Sequence, residues 1–204
     1  MGFYGERIVP RIADLTLRSH EFERLRARVT ADLGGEVLEV GFGSGRNVPH
    51  YPATVTRVRA VDPSGVGRKL ATGRVAASRV PVEYVGLDGQ DLPVADDGVD
   101  HVLTTWTLCT IPDIARALRE IRRVLRPGGA LHFVEHGRAP DAGVARWQDR
   151  LTPIQRRVAG GCHLNRQIDR LVADAGLEIT RLDHPVVRGP RAFTYTYEGV
   201  ALKH

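Results

Sequence analysis

The feature that most constrains the fold is a regular alternation of short apolar runs with helix-like segments. The apolar runs are rich in Val and Leu and have the length of strands: residues 37–40, 55–61, 82–85, 99–105 and 130–134. Between and after them, apolar residues recur at helical spacing in 64–77, 112–125 and 166–175. Strands that alternate with helices form a parallel sheet covered on both faces, so the pattern predicts an α/β fold.

Both ends of the chain differ from this alternation. Residues 1–33 carry apolar side chains at helical spacing and predict a helical lead-in. Residues 177–182 and 192–202 have the composition of two strands and are expected to pair as a hairpin. Residues 138–164 show no regular pattern and are interpreted as an insertion beside a substrate pocket. The length fits one domain spanning residues 1–204.

The composition is that of a soluble globular protein, with 42% hydrophobic and 26% charged residues. The net charge is +5, from 29 basic and 24 acidic residues, and all the basic residues except Lys69 and Lys203 are arginines, a habit typical of high-GC bacteria. The arginines are dispersed rather than gathered in a tract, so no nucleic-acid partner is expected. We find neither a signal peptide nor a run of about 20 apolar residues, and therefore expect a cytoplasmic protein without integral membrane association.

The chain has only two cysteines, Cys109 and Cys162. They are too few for a disulfide framework, and neither has a second cysteine or a histidine at the spacing typical of a zinc site. The sequence therefore predicts a reducing compartment and no metal site.

A glycine-rich loop, Gly41-Phe42-Gly43-Ser44-Gly45, follows the first strand and precedes a helix predicted to begin near Arg46. Glycines let the backbone turn tightly and approach a ligand closely. The dinucleotide fingerprint has its third glycine three residues after the second, where this chain has Arg46, so NAD and FAD are not favoured. On its own the loop is equally compatible with a tight turn that binds nothing.

Two acidic residues follow the next two strands. Asp62 lies about 20 residues after the glycine loop, where a carboxylate can accept both hydroxyls of a ribose, and Asp88 follows the third strand, where it can accept from an adenine amine. Each alone is compatible with a helix cap or a solvated turn. With the glycine loop, they indicate a nucleoside site at the carboxyl edge of the sheet.

Residues 36–134 resemble the class I S-adenosylmethionine-dependent methyltransferases. The resemblance is carried by LEVGFGSG at 38–45, Asp62, DGQDLPVADDGVD at 88–100 and REIRRVLRPGGALHFVEH at 119–136. The RVLRPGG turn, the EH pair and GGCHLNR at 160–166 are similar to the small-molecule subgroup that includes thiol and phospholipid methyltransferases. The resemblance implies a Rossmann-like fold with strand order 3-2-1-4-5-7-6 and strand 7 antiparallel, which agrees with the expected hairpin.

By position, the resemblance also implies the residues that bind S-adenosylmethionine. They are expected to surround the methionine part, the ribose and the adenine, and comprise Glu39, Gly41, Gly43, Gly45, Asn47, Asp62, Asp88, Gly89, Thr105 and Leu108. Tyr4, Trp106 and Trp147 are expected to wall the pocket or to face the sulfonium through a cation–π contact. Phe42 and Gln90 depart from the usual pattern, where a smaller residue and an acid are common.

Methyl transfer from a sulfonium is an in-line displacement, and a neutral hydroxyl must lose a proton as it attacks. Histidine is the side chain best suited to take that proton near neutral pH. His136, at the end of the fifth strand with Glu135 beside it, is the first candidate base, followed by His163 and then His50. Because adjacent side chains on a strand point to opposite faces, Glu135 and His136 are not expected to share one site unless the strand has ended before them.

The sequence predicts O-methylation of a hydroxyl on a small molecule such as a sugar, a glycolipid precursor or a phenol. Two alternatives stay open: S- or N-methylation of a thiol or a phospholipid amine, as the subgroup resemblance implies, and a non-catalytic cofactor-binding module. A homodimer through the hairpin edge or the lead-in helix is compatible with the sequence.

Overall fold

In the computed structural model, which describes residues 7–204, strands and helices alternate along most of the chain. The strands are β1 (Gly35–Val40), β2 (Val55–Val61), β3 (Val82–Gly86), β4 (Val99–Thr105), β5 (Leu125–His136), β6 (Glu178–Asp183) and β7 (Thr196–Leu202). The helices are α1 (Val9–Thr16), α2 (His20–Thr30), α3 (Gly65–Ala76), α4 (Ile114–Val124), α5 (Ala142–Val158), α6 (Ile168–Asp174) and α7 (Arg191–Thr194).

The seven strands form one sheet in the order β3-β2-β1-β4-β5-β7-β6. β1 to β5 are parallel to their neighbours, whereas β7 runs antiparallel to both β5 and β6. The predicted fold class, strand order and hairpin are therefore confirmed.

Two apolar cores lie against the sheet. The first packs α4 and α6 on strand residues such as Leu131 and Phe133, and the second packs α2 and α3 on residues such as Leu103 and Val134. Leu103, Phe133 and Val134 are completely buried. Because successive strand residues point to opposite faces, the adjacent Phe133 and Val134 contribute to different cores.

Local structure departs from the predictions in three places. The helix predicted to begin near Arg46 is a single 3-10 turn, Val48–His50, which has Pro49 in it and Pro52 just after it. The insertion is not irregular, because it forms the 17-residue helix α5 around Pro153. The second hairpin strand begins at Thr196, after the short helix α7.

Within residues 7–33, the lead-in forms two helices, of which α2 packs on the sheet and α1 lies near the glycine loop. Ser44 in that loop donates a hydrogen bond of 2.6 Å to Asp14 on α1. Among residues 7–204, no helix is both long and apolar enough to cross a bilayer.

Candidate active site

The glycine loop has a backbone that requires glycine. Gly41, Gly43 and Gly45 have φ angles of 81°, 54° and 72°, in the left-handed region. A Cβ on Gly41 would lie 1.9 Å from Thr107 Oγ1, so this glycine lets the loop after β4 approach. A Cβ on Gly43 would meet no atom closer than 3.9 Å. The backbone at Gly43 therefore borders free space that a ligand can fill.

Asp62 follows β2 and faces this loop. Its carboxylate accepts hydrogen bonds of 2.7 Å from the Gly43 and Ser64 amides, one at each oxygen. Burial raises the pKa of this carboxyl, and the two amides oppose that rise. Each oxygen keeps further acceptor capacity. Asp62 therefore both holds the glycine loop and fits the ribose hydroxyls implied by the resemblance.

Asp88 and Gly89 follow β3 at the same edge. Asp88 is exposed and accepts from the backbone and side chain of Gln90 at 2.8 and 3.0 Å, which lowers its pKa. A Cβ on Gly89 would lie 2.8 Å from Val40 Cγ1, so the loop after β3 packs closely on the end of β1. This arrangement brings an exposed carboxylate, whose Oδ2 keeps acceptor capacity, near the end of β1 and fits an adenine amine.

A buried polar network lies beneath the glycine loop. Asn47 donates to Glu39 Oε1 at 2.9 Å and to Thr105 Oγ1 at 3.0 Å, and it accepts from Arg26 at 2.8 Å. Tyr51 donates to the other oxygen of Glu39. Desolvation lowers the pKa of Arg26 to about 10. The network fixes three predicted cofactor residues, Glu39, Asn47 and Thr105, through two residues that the sequence analysis missed.

Glu39 is 1% exposed, and burial raises its pKa from 4.5 to about 7 despite the hydrogen bonds from Tyr51 and Asn47. A carboxyl whose pKa is raised on folding stabilises the native state below its unfolded pKa and loses that contribution as pH rises through its folded pKa. The Glu39 contribution is therefore lost between about pH 4.5 and 7.

We expect Glu39→Gln to remove this pH dependence. Between pH 4.5 and 8, the free energy of unfolding of the wild type should fall by about 3 kcal/mol relative to that of Glu39→Gln, since each pKa unit corresponds to about 1.4 kcal/mol. Urea unfolding at several pH values measures the difference. Glu83→Gln, on an exposed strand residue, is the control and should run parallel to the wild type. If the free energy of unfolding of Glu39→Gln changed with pH in the same way as that of the wild type, the raised pKa of Glu39 would be contradicted.

The remaining predicted cofactor residues have different placements. Leu108 is completely buried in the first core, and its contact with the cofactor stays a prediction. Trp106 is buried under Arg26, whose Cζ lies 4.8 Å from the ring, while Trp147 is 57% exposed on α5. Tyr4 lies outside the described residues.

Glu135, which the sequence placed beside the first candidate base, holds the loop after β4. It is completely buried and accepts hydrogen bonds from the backbone amides of Thr107, Leu108 and Cys109. Burial raises its pKa to about 7. The carboxylate therefore holds the loop after β4, which in turn contacts Gly41. Glu135 and His136 nevertheless both lie beside Cys109: Glu135 accepts the hydrogen bond of its backbone amide, and His136 Nδ1 lies within 4.8 Å of its sulfur.

Two of the three candidate bases, His136 and His163, lie around Cys109 and Cys162, whereas His50 contacts α2. His136 is half-buried at the end of β5, and its Nδ1 lies 3.7 Å from Cys162 Sγ. His163 is directed to the carbonyl of Cys109, 3.2 Å from its Nδ1. His50 pairs with Glu23 at 2.8 Å. All three are partly exposed, and among them His136 is the one that ends a strand of the sheet.

The fold also brings together residues that the sequence did not connect. Cys109, after β4, and Cys162, in the insertion, have their sulfur atoms 3.6 Å apart, and both are free and buried. Within residues 7–204, these two cysteines and His136 form the one group with three potential metal ligands. The sequence predicted no metal site because these residues are far apart along the chain.

Comparisons with known proteins agree with this geometry. A family model described as a methyltransferase domain matches residues 38–133, which hold the glycine loop, Asp62 and Asp88. The thiol S-methyltransferase TMT1A of Homo sapiens is 32% identical over 89% of this chain and 73% of that protein. The phosphatidylethanolamine N-methyltransferase of Cereibacter sphaeroides is 31% identical over 76% of each protein.

A solved structure of an S-adenosylmethionine-dependent methyltransferase from Thermotoga maritima has the same fold. It superimposes with a TM-score of 0.64 at 23% identity and covers 95% of this chain and 94% of that one. With the matching domain model and the curated relatives, these findings show that the chain belongs to the class I S-adenosylmethionine-dependent methyltransferases.

Proposed function

We propose that the protein transfers the methyl group of S-adenosylmethionine to the sulfur of a small-molecule thiol. The observation that carries the proposal is the placement of Glu135. Its carboxylate accepts hydrogen bonds from three backbone amides and none from His136, so it does not orient that imidazole as a base for a poorly acidic hydroxyl. A thiol ionises near pH 8.5 and attacks as the thiolate with little help from a base. The 32% identity to a thiol S-methyltransferase supports the same acceptor.

The cofactor in this proposal lies along the carboxyl edge of β1, β2 and β3. Gly43 and its loop border the methionine part, Asp62 accepts the ribose hydroxyls, and Asp88 with Gly89 receives the adenine. Glu39 and Asn47 support the loop from below. The cofactor supplies a methyl group already activated by the positive sulfur.

The protein then has to align the acceptor with the methyl carbon. The thiolate attacks that carbon as the carbon–sulfonium bond breaks, giving a thioether and S-adenosylhomocysteine. Alignment depends on a rigid loop after β4, which Glu135 holds from one side and Arg166 holds from the other by donating to the carbonyls of Leu108 and Ile111.

O-methylation of a hydroxyl with His136 as general base is the second candidate. Its supporting observation is the half-buried imidazole at the end of β5, which solvent or an acceptor can reach. The two candidates differ in the atom that is methylated.

A competition assay distinguishes them. The purified chain is incubated with S-adenosylmethionine carrying a deuterated methyl group and equal concentrations of an alkyl thiol, a phenol and phosphatidylethanolamine in vesicles. Mass spectrometry then identifies the labelled products. We expect the thioether to form at least tenfold faster than either other product. Predominant labelling of the phenol or the amine, or no labelling of any acceptor, would contradict thiol methylation.

A further inference from the structure

The two cysteines and His136 form a compact group of soft ligand atoms. Cys162 Sγ lies 3.6 Å from Cys109 Sγ and 3.7 Å from His136 Nδ1, and all three ligand atoms lie within 4.8 Å of one another. In tetrahedral zinc sites, bond lengths of about 2.3 Å to sulfur and about 2.0 Å to nitrogen give edges of about 3.8 Å between sulfurs and about 3.5 Å between sulfur and nitrogen. The two observed separations match these edges to within about 0.2 Å.

Three different segments hold these ligands in place. Cys109 lies in the loop after β4, and its backbone amide donates a hydrogen bond of 3.2 Å to the carboxylate of Glu135. His136 is paired with Thr196 in the sheet. The residue after Cys162, His163, connects this segment to the same loop: its backbone amide donates a hydrogen bond of 2.8 Å to the Cys109 carbonyl. Backbone contacts therefore set the ligand geometry, which reduces the cost of assembling a metal site.

The surroundings also suit a divalent metal. Cys109 and Cys162 pack with Leu164 and are contacted by the partly buried residues Leu151, Ala159 and Phe193. Two thiolates neutralise a divalent ion, so its burial in this apolar setting leaves no net charge. Two thiolates and an imidazole form a donor set that favours zinc over magnesium or calcium.

From this geometry we propose that Cys109, His136 and Cys162 form a zinc site whose fourth coordination position accepts the sulfur of the substrate thiol. Three protein ligands with one position left for water or substrate are typical of catalytic rather than structural zinc sites. The claim about the fourth position rests on the proposed thiol methylation. The claim about zinc rests on the three side chains alone.

Cys109 belongs to the loop after β4, and this loop contacts the glycine loop. Gly41 contacts Thr107, and Cys109 follows two residues later on the same loop. A thiol that binds zinc releases its proton to solvent and becomes a thiolate at neutral pH. That thiolate attacks the methyl carbon, the carbon–sulfonium bond breaks, and the thioether leaves the metal.

Metal content tests the zinc claim. The protein is reduced with a phosphine, which leaves no competing thiol, dialysed against zinc chloride and then freed of unbound metal. We expect about one zinc per chain in the wild type and at least a hundredfold weaker zinc binding in Cys109→Ser and Cys162→Ser, since loss of a ligand removes a coordination bond. His20→Ala, on an exposed histidine of α2, is the control and should bind like the wild type.

Cobalt binding gives a second readout that needs no variant. Stoichiometric cobalt should produce the near-ultraviolet absorption of cobalt–thiolate bonds and the visible bands of a tetrahedral centre. Absence of these bands, or equal zinc binding by the wild type and both cysteine variants, would overturn the metal site. A reduced protein that forms a Cys109–Cys162 disulfide in air and binds no zinc would overturn it as well.

Binding of a thiol at the fourth coordination position is tested separately, on the cobalt-loaded protein. Addition of an alkyl thiol should shift the visible bands, whereas an alcohol of the same chain length should not. Unchanged bands would overturn substrate binding at the metal while leaving the zinc result intact. Because the competition assay scores thioether formation separately, failure of thiol methylation and failure of the metal site remain distinguishable.

Discussion

Asp62→Ala is expected to weaken the binding of S-adenosylhomocysteine at least a hundredfold. In the proposed complex, the carboxylate accepts hydrogen bonds from both ribose hydroxyls, and bonds to a charged group contribute about 1.5–3 kcal/mol each. The substitution also removes the acceptor of the Gly43 and Ser64 amides, so the glycine loop loses a contact that fixes its ligand-facing backbone. Isothermal titration calorimetry measures the change directly.

Asp183→Ala is the matched control for this experiment. Asp183 ends β6 in the same sheet and is exposed, so its loss should leave the affinity unchanged. Circular dichroism of both variants shows whether the fold is retained. A folded Asp62→Ala protein with wild-type affinity would remove the ribose role from Asp62 and, with it, the proposed orientation of the cofactor.

The sequence predicted the sheet because the necessary information is local to each element. Runs such as residues 55–61 alternate with helical patterns, and this alternation permits few topologies. The glycine loop and Asp62 were predictable for the same reason, since each directly follows a strand and the carboxyl ends of parallel strands lie at one edge.

Prolines lie at two of the places where the local predictions were wrong. Pro49 and Pro52 accompany a single 3-10 turn where a longer helix was expected, because proline lacks the amide that continues a helix. Residues 138–164 were expected to be irregular, yet they form α5, which continues through Pro153. There the buried Gln148 bonds to Gly137 and Ala139 and fixes the helix on the domain, an interaction that no local pattern shows.

The parts of the site that were missed depend on contacts between distant residues. Arg26 meets Asn47 across 21 residues, and Cys109 meets Cys162 across 53. The sequence feature that could have indicated a buried role for Arg26 is its position beside Leu25, on the buried face of α2. No motif spacing connects His136 with the two cysteines, because only the folded sheet places the end of β5 next to the loop after β4.

Glu135→Ala is expected to lower the free energy of unfolding by about 3–5 kcal/mol. Alanine would leave the amides of Thr107, Leu108 and Cys109 buried without an acceptor, and each unsatisfied buried donor costs about 1–3 kcal/mol. The measurement is urea unfolding at pH 5, because burial raises the pKa of this carboxyl to about 7 and ionisation at higher pH would offset part of the loss. Glu83→Ala, on an exposed residue of β3, should change stability by less than about 0.5 kcal/mol.

The same variant tests how the loop after β4 is connected to cofactor binding. Thr107, in the loop after β4, packs in the space that Gly41 leaves beside its Cα. If the loop after β4 loses its contact with Glu135, the glycine loop loses this packing. Binding of S-adenosylhomocysteine should therefore weaken together with stability. Glu135→Gln keeps one acceptor oxygen but turns an amide donor toward backbone donors, and its loss of stability should therefore be smaller than that of Glu135→Ala but measurable. A loss below about 1 kcal/mol in Glu135→Ala would contradict the view that this carboxylate holds the loop, since three unsatisfied amides together cost more than that.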